Sequence, residues 1–228
     1  MPPYKFEYPV SVAILFAGGE SEDNKDSVVM AQNINDALER RGHVVRMFEV
    51  NGKNRKKALH VPGDVVINLA EDDSGGWKLY LNLAADLERM GRGMMGLSRA
   101  SFPFVVSKAA VKRKLYKEGI GTPNFRIINR RSDIRNIKGL EYPLIVKPSG
   151  GHAAIGITQD SVVIDQDELE ERVRYLFDRM PGEVIVEEYI EGREIHVTVL
   201  GNGKRLATLP YAELAFSGEY SDNWSVYS

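Results

Sequence analysis

Residues 142–157 read YPLIVKPSGGHAAIGI: a mostly apolar strand run ends in Lys147-Pro148 and opens at once into a loop of Ser, Gly, His and Ala. A loop of small residues lets backbone N–H groups approach phosphate oxygens, and a lysine at the end of the preceding strand adds a point charge to the same group. The plainer reading is a hairpin loop whose lysine faces solvent. Alone, the stretch fits both equally well, and the sequence around it decides.

The chain has 228 residues and 43% apolar content, enough for two packed domains or one large one. Lys plus Arg number 30 against 32 Asp plus Glu, a formal charge of -2, so no general attraction to nucleic acid or anionic membrane is expected and any anion must be held by local basic clusters. The absence of cysteine excludes disulfide scaffolds, thiolate metal sites and cysteine nucleophiles, and suits a reducing cytoplasm. The opening MPPYKFEYPV lacks a basic and then apolar leader, and no 18-residue apolar run occurs, so neither a signal peptide nor a membrane span is expected. The sequon Asn223-Trp224-Ser225 then reads as accidental.

Up to residue 105 or so, strand and helix patterns alternate: VSVAILF (10–16), a helical stretch Ser27 to Arg41, HVVRMFEV (43–50), DVVINL (64–69) after Pro62-Gly63, and a helix Trp77 to Met90 with Leu79, Leu83, Leu87 and Met90 on one face. This is a βαβ opening continued into a parallel α/β layer. A second unit starts with a helix Ser107 to Glu118, N-capped by Ser107 and stopped by Gly119 and Gly121-Thr122-Pro123. Strands FRII (125–128), PLIVK (143–147) and SVVI (161–164), a helix Asp167 to Arg179 and a strand EVIVEEYI (183–190) follow. The segment 194–214 holds two β-rich runs around Gly201-Asn202-Gly203, a hairpin signal, after which AFSGEYSDNWSVYS reads as a solvated tail.

Gly91-Arg92-Gly93-Met94-Met95-Gly96 matches G-x-G-x-x-G but follows a helix, whereas a dinucleotide fingerprint must follow a strand and open a helix; it reads as a helix end turning into a short strand. No G-x-x-x-x-G-K-[ST] is present. Two further features favour a phosphate grip at 142–157. Lys108 stands at a helix beginning, where the dipole disfavours a cation. The run EEYIEGRE (187–194) ends a buried strand with Glu187 and Glu188 and places Glu194 a short turn later, where a carboxylate can accept from vicinal ribose hydroxyls while strand-end backbone reads an adenine edge.

Together VKPSGGHAAIGI (146–157), VEEYIEGREIHVTVLGN (186–202) and SKAAVKRKLYKEGIGTPNF (107–125) resemble the ATP-grasp superfamily, most of all its D-alanine–D-alanine ligase branch, with a looser echo in VAILFAGGESED (12–23). The resemblance implies an α/β chain: an N-terminal Rossmann-like (pre-ATP-grasp) domain over 1–105, then an α+β ATP-grasp domain with its small lobe at 106–185 and an incomplete large lobe starting at 186–228. It implies that Lys108 and Lys147 contact the α- and β-phosphates of ATP and that Ser149 to Ile155, with Gly150, Gly151 and His152, form the closing loop. Glu187 and the backbone of Glu188 and Ile190 would address the adenine, Glu194 the ribose, and Glu213 the substrate side. The reaction implied joins a carboxylate to an amine: ATP phosphorylates the acid, and the amine attacks the acyl phosphate.

Family members also bind Mg²⁺ through an Asp, a Glu and an Asn near the C-terminus, preceded by a catalytic Arg; nothing after Glu213 resembles that set, and Asp222-Asn223 lies in the tail. The metal ligands are therefore expected beyond residue 228, no catalytic residue is assigned, and a fragment of a longer ligase is favoured over a degenerate nucleotide-binding module. The N-terminal domain departs too: NLAEDDSGGW (68–77) replaces a His-Gly-rich segment, and Glu20, Glu22 and Asp23 offer no clear match to the family's acidic position. A different amino acid or a small peptide as substrate is therefore open, and a homodimer is compatible with the pattern. Glu71, Asp72 and Asp73 are expected to be an acidic helix cap rather than an ammonium site, and His152 an exposed loop residue more than a γ-phosphate contact. His43, His60 and His196 lack metal-ligand spacing, Lys112-Arg113-Lys114 reads as the solvated face of its helix, and Met90, Met94 and Met95 as core or interface filling.

Overall fold

Strand β1 (Ser11–Ala17) alternates its side chains between two faces, and both sets are buried: Ala13, Leu15 and Ala17 on one side, Val12, Ile14 and Phe16 on the other. Burial on both faces is what a parallel strand between two helical layers requires. In the computed structural model, which describes residues 8–19, 22–71, 77–150, 154–180, 182–216 and 224–226, the chain divides into two compact units, Met1–Phe102 and Pro103–Ser228.

In the first unit β1 is followed by α1 (Glu22–Glu39), β2 (Val44–Val50), the single turn α2 (Arg55–Ala58), β3 (Val65–Leu69), α3 (Lys78–Arg89) and β4 (Gly93–Met95). The sheet order is β2-β1-β3-β4, all parallel. Leu79, Leu83 and Leu87 of α3 pack with Ala13 and Leu15, while Ala31, Ile34 and Leu38 of α1 close the other face over Ile14 and Ile67. Helix α1 starts a turn earlier than the apolar period suggested, because its first turn is polar and carries no periodic signal.

The glycine-rich stretch at 91–96 is a helix end and short strand, and its arginine ties loop to sheet. Arg92 donates to the carbonyls of Leu59, Val61 and Gly63 at 2.8, 2.9 and 2.8 Å, pinning the approach to β3. Of the three methionines expected as filling, Met94 packs on the core, whereas Met90 and Met95 are 45% and 57% exposed; the short edge strand β4 turns Met95 outward. Glu71 is not a helix cap, since α3 begins at Lys78 behind Trp77 with no acidic residue in its first turn; Asp72 and Asp73 lie outside the described residues.

The second unit opens with the short turn α4 (Pro103–Val106) and α5 (Lys108–Lys117), capped as expected by Ser107, whose hydroxyl accepts from the Ala110 amide at 3.2 Å. Next come β5 (Phe125–Ile128), a 3-10 turn, β6 (Leu144–Pro148), β7 (Val162–Val163), α6 (Gln166–Arg179) and β8 (Val184–Glu188). These strands form one antiparallel sheet in the order β5-β8-β6-β7. Leu169, Val173 and Leu176 of α6 cover one face, on Leu144, Val146, Val184 and Val186. The period of two then sends Lys147 and Glu187 to the opposite face.

Beyond β8 lie two ribbons, β9 (Glu194–His196) paired with β12 (Ala212–Leu214), and β10 (Val199–Asn202) paired with β11 (Arg205–Thr208) through a two-residue turn with Gly203 at φ 56°. The last described residues do not form a solvated tail. Trp224 stacks edge-on against Tyr189 at 5.2 Å, Gln159 Nε2 donates to the Trp224 carbonyl at 3.1 Å, and Val226 is buried. Asp222-Asn223 lies outside the described residues. No helix among the described residues is long and apolar enough to cross a membrane.

Candidate functional site

The register of the second sheet sets Ile145 opposite Glu187, so Lys147, two residues along β6, is the diagonal neighbour of Glu187 on the face away from α6. Lys147 Nζ pairs there with Glu187 Oε1. A second cation reaches the same carboxylate from α5: Lys112 Nζ lies 2.5 Å from Glu187 Oε2. Lys112 is thus not part of a solvated face. Helical spacing turns it inward with Ala109, one turn before it, while Arg113 and Lys114 stay exposed. Lys112 also donates to Thr122 Oγ1 at 2.9 Å and the Pro123 carbonyl at 3.3 Å, and lies 5.4 Å from the centre of the Phe125 ring.

The start of α5 is tied to the end of β6 by backbone bonds: the Lys108 amide donates to the Ser149 carbonyl at 2.9 Å, and Ser107 bridges Gly150. Lys108 Nζ reaches the Gly150 carbonyl at 3.4 Å. Burial first, and the charge of Lys147 second, hold the Lys108 ammonium below the ordinary lysine range, while Glu187 opposes them. The Ser149 side chain is 1% exposed and its hydroxyl has no hydrogen-bond partner among the described residues. A buried orphan hydroxyl on a loop tied to Lys108, next to a carboxylate that pairs with Lys112 and Lys147, suits an anion. Gly150 is exposed at the loop mouth, and these residues fit the phosphates of a nucleotide.

Gly151 and His152 lie outside the described residues, while Ile155 at the far end of that loop is 53% exposed. The loop exit is fixed by a residue that carries no signal in the sequence. Arg172 of α6, 5% exposed, donates to the Gly156 carbonyl and to Ser161 Oγ, both at 2.7 Å. Gly156 has φ 78°, a conformation a side chain would strain.

At the strand end, Glu188 accepts from Asn124 Nδ2 at 3.0 Å and from the Glu141 amide at 3.2 Å. The Asn124 contact is the main reason its carboxyl is held below the ordinary range, burial opposing it. A depressed carboxylate contributes stability above its unfolded pKa and loses it as pH falls through the folded value. In Asn124→Ala, the Glu188 carboxyl resonance is expected to titrate closer to the ordinary glutamate range, and the acid side of the stability profile to flatten there.

Ile190 is 65% exposed, and Glu194 and Glu213 are exposed on β9 and β12. Glu213 stands opposite Ile195 in the ribbon, so it and Glu194 project from opposite faces. Glu194 pairs with His196 at 2.9 Å, and Arg193 lies 3.5 Å from Glu213. No group of three or more His, Asp or Glu among the described residues could hold a metal ion, so the described residues do not fit a metal and no step is assigned to one. Lys112, Arg172 and Asn124 are the site residues missed in sequence; only the spacing of Lys112 from Ala109 offered a signal.

Residues 115–227 match the family model described as D-ala D-ala ligase C-terminus. The D-alanine–D-alanine ligase of Syntrophotalea carbinolica is 31% identical over 223 residues, covering 95% of this chain and 67% of the relative. The chain spans 94% of the D-alanine–D-alanine ligase of Anaplasma centrale, at 26% identity, and 42% of an uncharacterised protein of Sinorhizobium fredii, at 32% identity. In fold, the chain is similar to the D-Ala:D-Ser ligase VanG of Enterococcus faecalis, with TM-score 0.73 at 20% identity over 97% of this chain and 74% of the other.

Proposed function

This chain belongs to the D-alanine–D-alanine ligase branch of the ATP-grasp superfamily, and from that premise we propose that it is an ATP-dependent carboxylate–amine ligase acting on small amino-acid or peptide substrates in the cytoplasm. The observation that carries this reading is the pairing of Lys112 and Lys147 with Glu187, with Lys108 within electrostatic reach of both Lys147 and Glu187, at the mouth of a loop that starts with a buried serine hydroxyl without a partner among the described residues. On this reading the small lobe, expected to end at 185, runs to Glu188, because β8 pairs with β5 and β6 in its sheet, and the ribbons after it begin the large one.

Bound ATP would supply the phosphoryl group that converts a carboxylate into an acyl phosphate open to attack by an amine. The chain's own part is to neutralise the polyphosphate with Lys108 and Lys147, to receive it on Ser149 and Gly150, and to exclude water by closing the loop through Gly151, His152 and Ile155. Glu187 and the backbone of Glu188 and Ile190 face the adenine, Glu194 the ribose, and Glu213 the ligated substrate. The register of β9 and β12 supports this division, since it separates Glu194 and Glu213 onto opposite faces of their ribbon.

Calorimetric titration of the 228-residue chain with Mg-ATP, followed by an ADP-release assay with single amino acids and dipeptides on a chain extended past Ser228, because the 228 residues alone are expected to be inactive, tests the proposal. Saturable binding and ADP release that rises with particular amino acids are expected. Hydrolysis indifferent to every amino acid and peptide would overturn the ligase assignment, and absence of binding would overturn the nucleotide grip itself.

A further inference from the structure

Glu187 carries one negative charge and is approached by two lysines that differ in freedom. Lys112 is moored: besides the carboxylate it donates to Thr122 Oγ1 and the Pro123 carbonyl, lies near the Phe125 ring, and is 8% exposed. For Lys147, at the end of β6 beside the loop, Glu187 is the one ion-pair partner among the described residues, and its side chain is 18% exposed. A carboxylate shared by two ammonium groups holds each less tightly than one it serves alone. We infer that Lys112 is a positioning residue that keeps Glu187 occupied, so that Lys147 can leave the carboxylate and swing to the phosphate of an incoming nucleotide.

In the ligand-free chain Glu187 is the parking place of Lys147; when phosphate arrives, Lys147 transfers to it and Lys112 remains as the standing counterion. Glu187 is therefore not left buried and unpaired at the moment of binding, which would cost far more than the transfer gains. Lys112 does not make the transfer itself, because its other two donors are committed to Thr122 and Pro123, just before β5. This rests on the nucleotide reading above, and its test separates the two.

Titrate the parent chain, Lys112→Met, Lys112→Gln and the double variant Lys112→Met/Glu187→Gln with Mg-ATP and, separately, with adenosine. Both single variants leave Glu187 to Lys147 alone, so ATP affinity is expected to fall about tenfold, a change of ~1.4 kcal/mol, while adenosine affinity stays level. The double variant releases Lys147 again; because Glu187 also faces the adenine, its recovery is read as the ratio of ATP to adenosine affinity, which is expected to return to the parent's. A purely structural role for Lys112 would weaken ATP and adenosine alike, and removing Glu187 as well would rescue nothing. Should Lys112→Met fold poorly, Lys112→Gln retains a polar group for Thr122 and reads the same effect. ATP binding by the parent that neither single variant weakens, or a double variant no better than Lys112→Met, overturns the inference and leaves the nucleotide site standing. A parent that binds no nucleotide overturns both.

Discussion

Lys147→Ala is expected to weaken Mg-ATP binding by roughly 10- to 140-fold while leaving the fold in place. The magnitude follows from a charge-assisted contact of about 1.5–3 kcal/mol at ~1.4 kcal/mol per decade of affinity. The fold survives because Glu187 keeps Lys112 when Lys147 is removed, so no buried charge is orphaned. Calorimetry gives the affinity and a thermal melt of the same sample the stability. Wild-type affinity in a well-folded Lys147→Ala chain would show that this lysine does not touch the phosphates, and would return the stretch at 142–157 to a plain hairpin loop.

Glu187→Ala is expected to have the opposite balance, with a large loss of stability. The carboxylate is 5% exposed, and its removal leaves Lys112 and Lys147 facing one another across a half-dry site, with Lys108 close enough to feel Lys147. Removing one partner of a buried ion pair costs about 3–5 kcal/mol, because the remaining charge has lost its compensation. For a domain of this size that lowers the melting temperature on the order of 10–20 °C. Lys112→Met should cost much less, since it leaves a one-to-one pair between Glu187 and Lys147. Equal melting of Glu187→Ala and the parent would mean that water screens Lys112 and Lys147 and that the carboxylate is not their shared counterion.

The two substitutions draw on different things the chain specifies. Amphipathic period and turn chemistry were enough for the parallel sheet of the first unit, because Val12 to Ala17 and Leu79, Leu83 and Leu87 carry their burial in their spacing. The Ser107 cap and the helix end at 91–96 were legible for the same reason: local geometry satisfies local backbone groups. Lys147, Ser149 and Glu187 could be singled out as residue types standing at strand ends next to a small-residue loop.

What a one-dimensional pattern does not contain is which charge meets which. Lys112 sits in the run Lys112-Arg113-Lys114 and reads as solvent-facing until helix α5 is laid over the sheet, where the position three after Ala109 points at β8. Trp224 to Val226 follow a polar stretch and read as tail, yet Tyr189 and Gln159 provide a surface that only the folded sheet assembles. Arg172 holds the loop exit from a helix whose sequence shows merely a charged residue among others. The sequence by itself determined the elements, their order and the chemical types at the loop, because those depend on neighbours within a turn or a strand. Only the tertiary structure decided that Lys112 and Lys147 share the carboxylate of Glu187, because that pairing depends on sheet register and helix docking between segments far apart in the chain.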